Sequence, residues 1–169
     1  VGMSARVAVD EAVLAGQYLL SAPPSAADLA RIRDEVDAAR AYFAEKAWLA
    51  DPRGYHREPP PLAAPAVETR RLRRGRRRIE YQAIAFESGY EPDVGEPGRD
   101  RWLGYAANRT AHAVMLRHPG APRPWLVCIH GYTMGHTRFG LWIFDAVRYH
   151  RRLGFNVMLP VLPFHGPRR

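Results

Sequence analysis

The sequence predicts an α/β fold, and three observations carry that prediction. Residues 125–129 (WLVCI) form a near-continuous apolar run, the pattern of a strand buried on both faces of a parallel sheet. Helical periodicity follows, with Phe139, Trp142, Ile143, Ala146 and Val147 on one side. A second apolar run, FNVMLPVL at 155–162, comes next, and the three segments together have the length a right-handed crossover between parallel strands needs. Thr137 is placed to cap the helix over 138–153, Arg151 and Arg152 suit its last turn, and Gly154 suits its stop.

Working back towards the N-terminus, two further strands are expected at 77–87 and 111–117, where apolar residues alternate between turn-rich loops. The clearest helix lies within residues 23–51. Ser25 and Asp28 have the spacing of a capping box, and Leu29, Ile32, Val36, Ala39 and Phe43 recur at helical intervals before Asp51-Pro52 ends the segment. A shorter helix over residues 7–20 would pair with it as a helical hairpin. The expected organisation is therefore a helical extension at 1–51, a Pro/Arg-rich connector at 52–75 and an α/β portion at 76–169.

Composition narrows the function classes. The 169 residues suffice for a real core, and no run approaches the ~18 apolar residues that a membrane-spanning helix requires, so no membrane partner is expected. Cys128 is the single cysteine and sits inside an apolar strand, which points to an inert core thiol and a reducing, cytoplasmic setting. The net charge of +8 is concentrated in RRLRRGRRR at 70–78. Clustered arginines can neutralise phosphates, so a binding module using Arg70 to Arg78 for nucleic acid or an acidic partner is the alternative reading. No aromatic residue is interleaved there, which argues against nucleic acid and for a solvated edge strand guarded by charge. Gly131, Gly135 and Gly140 lack the spacing of a dinucleotide fingerprint.

In an open α/β sheet, ligands sit at the carboxyl ends of the parallel strands. Two loops at such ends carry a His-Gly pair: HGYTMGHT after the first apolar strand and PFHGPRR after the second. Placed in this strand order, residues 75–169 resemble the α/β-hydrolase superfamily, the fold expected being the first strands of its sheet: an antiparallel lead-in, then a parallel β-α-β unit. The resemblance implies that the first loop contributes to an oxyanion hole. Tyr132 N–H would be the donor, with Thr133 the second choice. Gly131 would free the backbone's approach, His130 would brace the loop, and His136, His165 and Gly166 would shape the substrate rim. Fixed N–H donors ~2.7 to 3.1 Å from a developing oxyanion stabilise acyl transfer.

What the resemblance implies for function is serine-dependent hydrolysis of a small-molecule ester or amide through an acyl-enzyme, with no cofactor. The family's Gly-x-Ser-x-Gly elbow is absent, since Ser4, Ser21, Ser25 and Ser88 all lie in other settings. Nucleophile, acid and base are then expected beyond Arg169, the chain alone is expected to lack triad-dependent activity, and its last strand is expected to expose an unpaired edge. A metal site from His130, His136 and His165 would lack the carboxylate or Cys pair that ligand spacing calls for.

Overall fold

The computed structural model describes residues 5–20, 23–46, 48, 50–56, 58–59, 61–62, 64–74 and 77–169. They divide into two compact units, Val1–Asp51 and Pro52–Arg169. Among the described residues no helix is long and apolar enough to cross a membrane.

The first unit holds α1 (Ala5–Leu20) and α2 (Ala26–Glu45). The capping box forms: Ser25 Oγ accepts from Asp28 N–H at 3.1 Å, and the Asp28 carboxylate accepts from Ser25 N–H at 3.3 Å. Bonds from the Ser25 hydroxyl and the Arg31 guanidinium hold the Asp28 carboxyl below its ordinary range. α2 stops several residues before the Asp51-Pro52 signal. Lys46 turns extended, its ammonium lies over the Tyr42 and Trp48 rings, and Trp48 packs edge-on against Tyr42. Val9, Val13 and Leu14 of α1 and Leu29, Ile32 and Val36 of α2 are exposed. The two apolar stripes therefore do not close on each other as the expected hairpin would require.

The second unit is built on a five-stranded mixed sheet. Its strands are β1 (Ala66–Arg74), β2 (Arg77–Glu87), β3 (Thr110–Leu116), β4 (Trp125–Val127) and β5 (Asn156–Val161), in the order β1-β2-β3-β5-β4. The pairs β1/β2, β2/β3 and β3/β5 are antiparallel, and β5/β4 is parallel. The protein is thus α/β.

Three expectations change. First, residues 66–74 of the expected connector form a strand, β1. Leu72 opposite Ile79 gives the arginine-rich segment an inward apolar anchor, while Arg71 bonds Glu80 across the pair at 3.1 Å. Second, β5 inserts between β3 and β4, so the unpaired edge belongs to β4 and not to the last strand. Third, β4 is not buried on both faces. Cys128 and Leu126 turn towards the core while Trp125, Val127 and Ile129 are exposed, the alternation of a strand with one covered face.

The crossover helix is also interrupted. After a short α3 (Arg99–Gly104) between β2 and β3, it forms as α4 (Thr137–Ile143) and α5 (Ala146–Arg151), broken at Asp145, whose φ of 47° is left-handed. Aspartate tolerates that region better than most residues because its short side chain bonds locally. His136, not Thr137, occupies the N-cap, and no side chain caps it. Of the expected packing face, Ala146 and Val147 reach the core, whereas Phe139, Trp142 and Ile143 are exposed and Gly140 and Leu141 are buried in their place. Gly140 lies against Leu159: a Cβ there would meet Leu159 Cδ2 at 2.9 Å, so a larger residue would require that side chain to shift. The resulting core joins Leu141 and Ala146 to Val114, Leu116, Cys128, Val157 and Leu159. Full burial of such a side chain stabilises the fold by ~1.5 to 3 kcal/mol.

Candidate functional site

Because β4 and β5 are parallel neighbours, the loops after them emerge side by side, and the two His-Gly pairs meet. His130, 7% exposed, is the latch. Its Nε2 accepts the Leu162 N–H at 3.1 Å, so the proton is on Nδ1, which donates to the Gly131 carbonyl at 2.9 Å. Both ring nitrogens are thereby used, and His130 can serve neither as a base nor as a metal ligand while the latch holds. It braces the loop.

Gly135 and Gly166 form the seam. A Cβ on Gly135 would meet His165 Cβ at 2.9 Å, and one on Gly166 would overlap the Gly135 carbonyl oxygen. Both glycines also have positive φ, 97° and 50°. The His130 and His165 rings lie 4.8 Å apart, and Tyr132 stands edge-on to His165 at 6.4 Å. His165 donates from Nδ1 to the Pro163 carbonyl at 2.8 Å, which leaves its Nε2 as the acceptor.

Each loop also carries a non-glycine residue in the left-handed region, Thr133 and Phe164, both at φ 63°. Such backbone costs of order 1 to 3 kcal/mol and persists only where surrounding structure enforces it. For Phe164 the enforcement is visible: its N–H donates to Asn108 Oδ1 at 2.9 Å, and its ring packs edge-on against Trp102 and Tyr105. Arg168 completes the support. It is buried and donates to the Val161 carbonyl at 3.0 Å and the Asn108 carbonyl at 2.9 Å. Burial lowers its pKa from the ordinary arginine value. Asn108 and Arg168 were not among the residues picked out from the sequence. The arginine pair after His-Gly was a faint signal for the second; for the first there was none.

The backbone between the latch and the seam has spare donors. Neither Tyr132 N–H nor Thr133 N–H bonds an acceptor among the described residues. Tyr132, at 78% exposure, and Thr133 are both exposed, in the loop that follows β4 at an edge of the sheet. Beneath the loop, His130, His136, Gly135 and Thr137 line a cavity of about 20 Å³, enough for no more than a water. A larger one of about 180 Å³ opens alongside, floored by Ala66, Ala83 and Ala85 and walled by His112, Gly135 and Thr137. Burial there lowers the His112 pKa, and the charges of Arg168 and Arg70 add to the effect.

No family model matches the chain. Two proteins from two strains of Mycobacterium tuberculosis, each named only as an uncharacterized protein, are each 43% identical to it over 168 residues. The matched region is 99% of this chain and 40% of each relative, so the chain spans less than half the length of the curated relatives it matches. No solved structure matches.

The remaining residues singled out from the sequence fall as follows. Cys128 is buried and its thiol is pushed up by that burial, which keeps it in the unreactive form. Ser25 is committed to capping α2, Ser88 lines a different cavity, and Ser4 and Ser21 lie outside the described residues. Among the described residues no group of three or more His, Cys, Asp or Glu is arranged to hold a metal. In the basic run, Arg70 bonds Glu68 at 2.7 Å and Arg71 bonds Glu80, so part of its charge is answered within the hairpin.

Proposed function

We propose that this chain is the oxyanion-loop portion of a serine-dependent α/β hydrolase acting on a small carboxylic ester. The reading is carried by one observation: two unsatisfied backbone donors, Tyr132 N–H and Thr133 N–H, on a strained loop that His130, Gly135 and Gly166 lock against its neighbour. Catalysis by electrostatic stabilisation requires donors that need no reorganisation as charge develops, and a doubly anchored loop supplies that rigidity. The antiparallel lead-in followed by a parallel β-α-β unit is also the arrangement this reading requires. The cavity beside the loop, lined by Ala66, Ala83 and Ala85 and by the charged Glu68 and Arg70, would take a short group of the substrate. His165 Nε2, an acceptor at the rim, would contact the ester rather than activate a nucleophile.

On this reading the nucleophile, its base and its acid belong to polypeptide outside these residues. The test is hydrolysis of an activated ester, followed with and without a serine-directed fluorophosphonate. The 169-residue chain is expected to give no turnover above buffer and no covalent label. Joined to the rest of a hydrolase polypeptide, the same segment is expected to support turnover that the fluorophosphonate abolishes. There, Tyr132→Pro, which removes one N–H, should lower kcat by about 10² to 10³. Turnover by the 169-residue chain that ignores the fluorophosphonate would overturn the reading.

A further inference from the structure

A cavity in the second unit is lined by none of the residues of the two His-Gly loops. It measures about 460 Å³, within the range of small-molecule sites. Its lining comes from Tyr55, His56, Glu58 and Pro59 and from residues 88–91. Among the described residues its lining includes two tyrosines, Tyr55 and Tyr90, and two carboxylates, Glu58 and Glu91.

The rings are held in place. The Tyr90 side chain beside Tyr55, followed by burial and the charge of Glu96, pushes the Tyr55 phenol up to about 12. Tyr55 therefore stays neutral, and its ring keeps an undiminished role as a polarisable face. Tyr90 is braced from behind by Trp102, edge-on at 5.3 Å, and Trp102 in turn by Phe164 at 5.0 Å. Glu91 is positioned by a 2.8 Å bond from Arg99, whereas Glu58 makes no ion pair among the described residues. Aromatic faces attract cations through the ring quadrupole, most strongly where the cation is bulky and weakly hydrated, and nearby carboxylates add a long-range attraction.

We propose that this cavity binds a small organic cation of the ammonium class, gripped between the Tyr55 and Tyr90 rings with Glu58 supplying the counter-charge. The site is separate from the ester-hydrolysis reading and stands or falls without it.

The probe is choline, measured by equilibrium dialysis against the 169-residue chain, beside its uncharged isostere in which a tert-butyl group replaces the trimethylammonium. Choline is expected to bind saturably and the isostere at least about tenfold more weakly, since only the charge distinguishes them. Glu58→Gln, a substitution at an exposed position that leaves the fold intact by circular dichroism, should weaken choline about fivefold. Tyr90→Phe keeps the ring and should retain binding, whereas Tyr90→Ala should abolish it. Equal binding of choline and the isostere, binding unaffected by Glu58→Gln and Tyr90→Ala together, or no binding of choline at all would each overturn the proposal.

Discussion

Two histidine pairs mark opposite ends of β5 and do the same thing in different surroundings. At its start, His118 and His150 stack at 3.9 Å; His118 Nε2 donates to the His150 carbonyl and His150 Nδ1 to the Phe155 carbonyl. At its end, His130 and His165 lie 4.8 Å apart and likewise bond main-chain groups. Both pairs tie loops to the sheet. Only the second lies beside strained backbone with unsatisfied N–H donors, whereas the first is surrounded by cationic side chains, Arg123 and Arg151 among them. What makes a histidine cluster a candidate site is thus the backbone next to it, not the imidazoles.

The sharpest way to break this contrast is to open the seam at the carboxyl end. Gly166→Ala forces a methyl into the Gly135 carbonyl at a positive φ. It should destabilise the chain by about 3 kcal/mol or more, read as a lower urea midpoint. Next in size is the latch. His130→Ala strips partners from the Leu162 N–H and the Gly131 carbonyl, a loss of about 2 kcal/mol in the same measurement. If either variant were as stable as the parent chain, the two loops would not be locked together.

The other end of β5 should respond to pH instead. Burial is the main force lowering the His150 pKa, and the nearby His118, Arg151 and Arg123 push in the same direction against the bond to Phe155. The folded chain therefore binds its proton less readily than the unfolded chain does. The stabilisation is fully present above the ordinary value of 6.5, declines as pH falls below it and levels off once the folded imidazole itself protonates. His112, also lowered, adds a slope of the same sign. Thermal melts across this range should show Tm falling with acid, and His150→Gln should flatten part of that fall. The smallest effect is expected far from both ends: Arg71→Gln, which removes an exposed cross-strand bond to Glu80, should cost below about 0.5 kcal/mol.

Much of the fold is legible in the sequence because it rests on local chemistry. The Ser25/Asp28 capping box, the strands at 77–87 and 155–162 and the inward turn of Cys128 follow from spacing and from alternation of apolar residues, which depend on few neighbours. The adjacency of the two His-Gly loops follows as well, once the intervening segment is read as a crossover between parallel strands. Where the reading went astray, long-range contacts had decided the matter. Apolar content placed Ala146 and Val147 correctly but could not tell that Leu141 would pack beside Gly140 and Leu159 while Phe139, Trp142 and Ile143 stayed exposed. Nor could it show that residues 66–74 would leave the connector and pair, since that depended on Leu72 meeting Ile79.

The sequence by itself determined that this is an α/β protein with a capped helical extension, a charged run leading into a strand and two His-Gly loops. The tertiary structure alone decided that β5 enters between β3 and β4, that His130 spends both nitrogens on main-chain groups and that Asn108 and Arg168 hold the second loop. The physical reason is the same throughout. A periodic pattern states which side chains must leave water, whereas a hydrogen bond between residues 32 or 60 positions apart exists only after the sheet has brought them within about 3 Å.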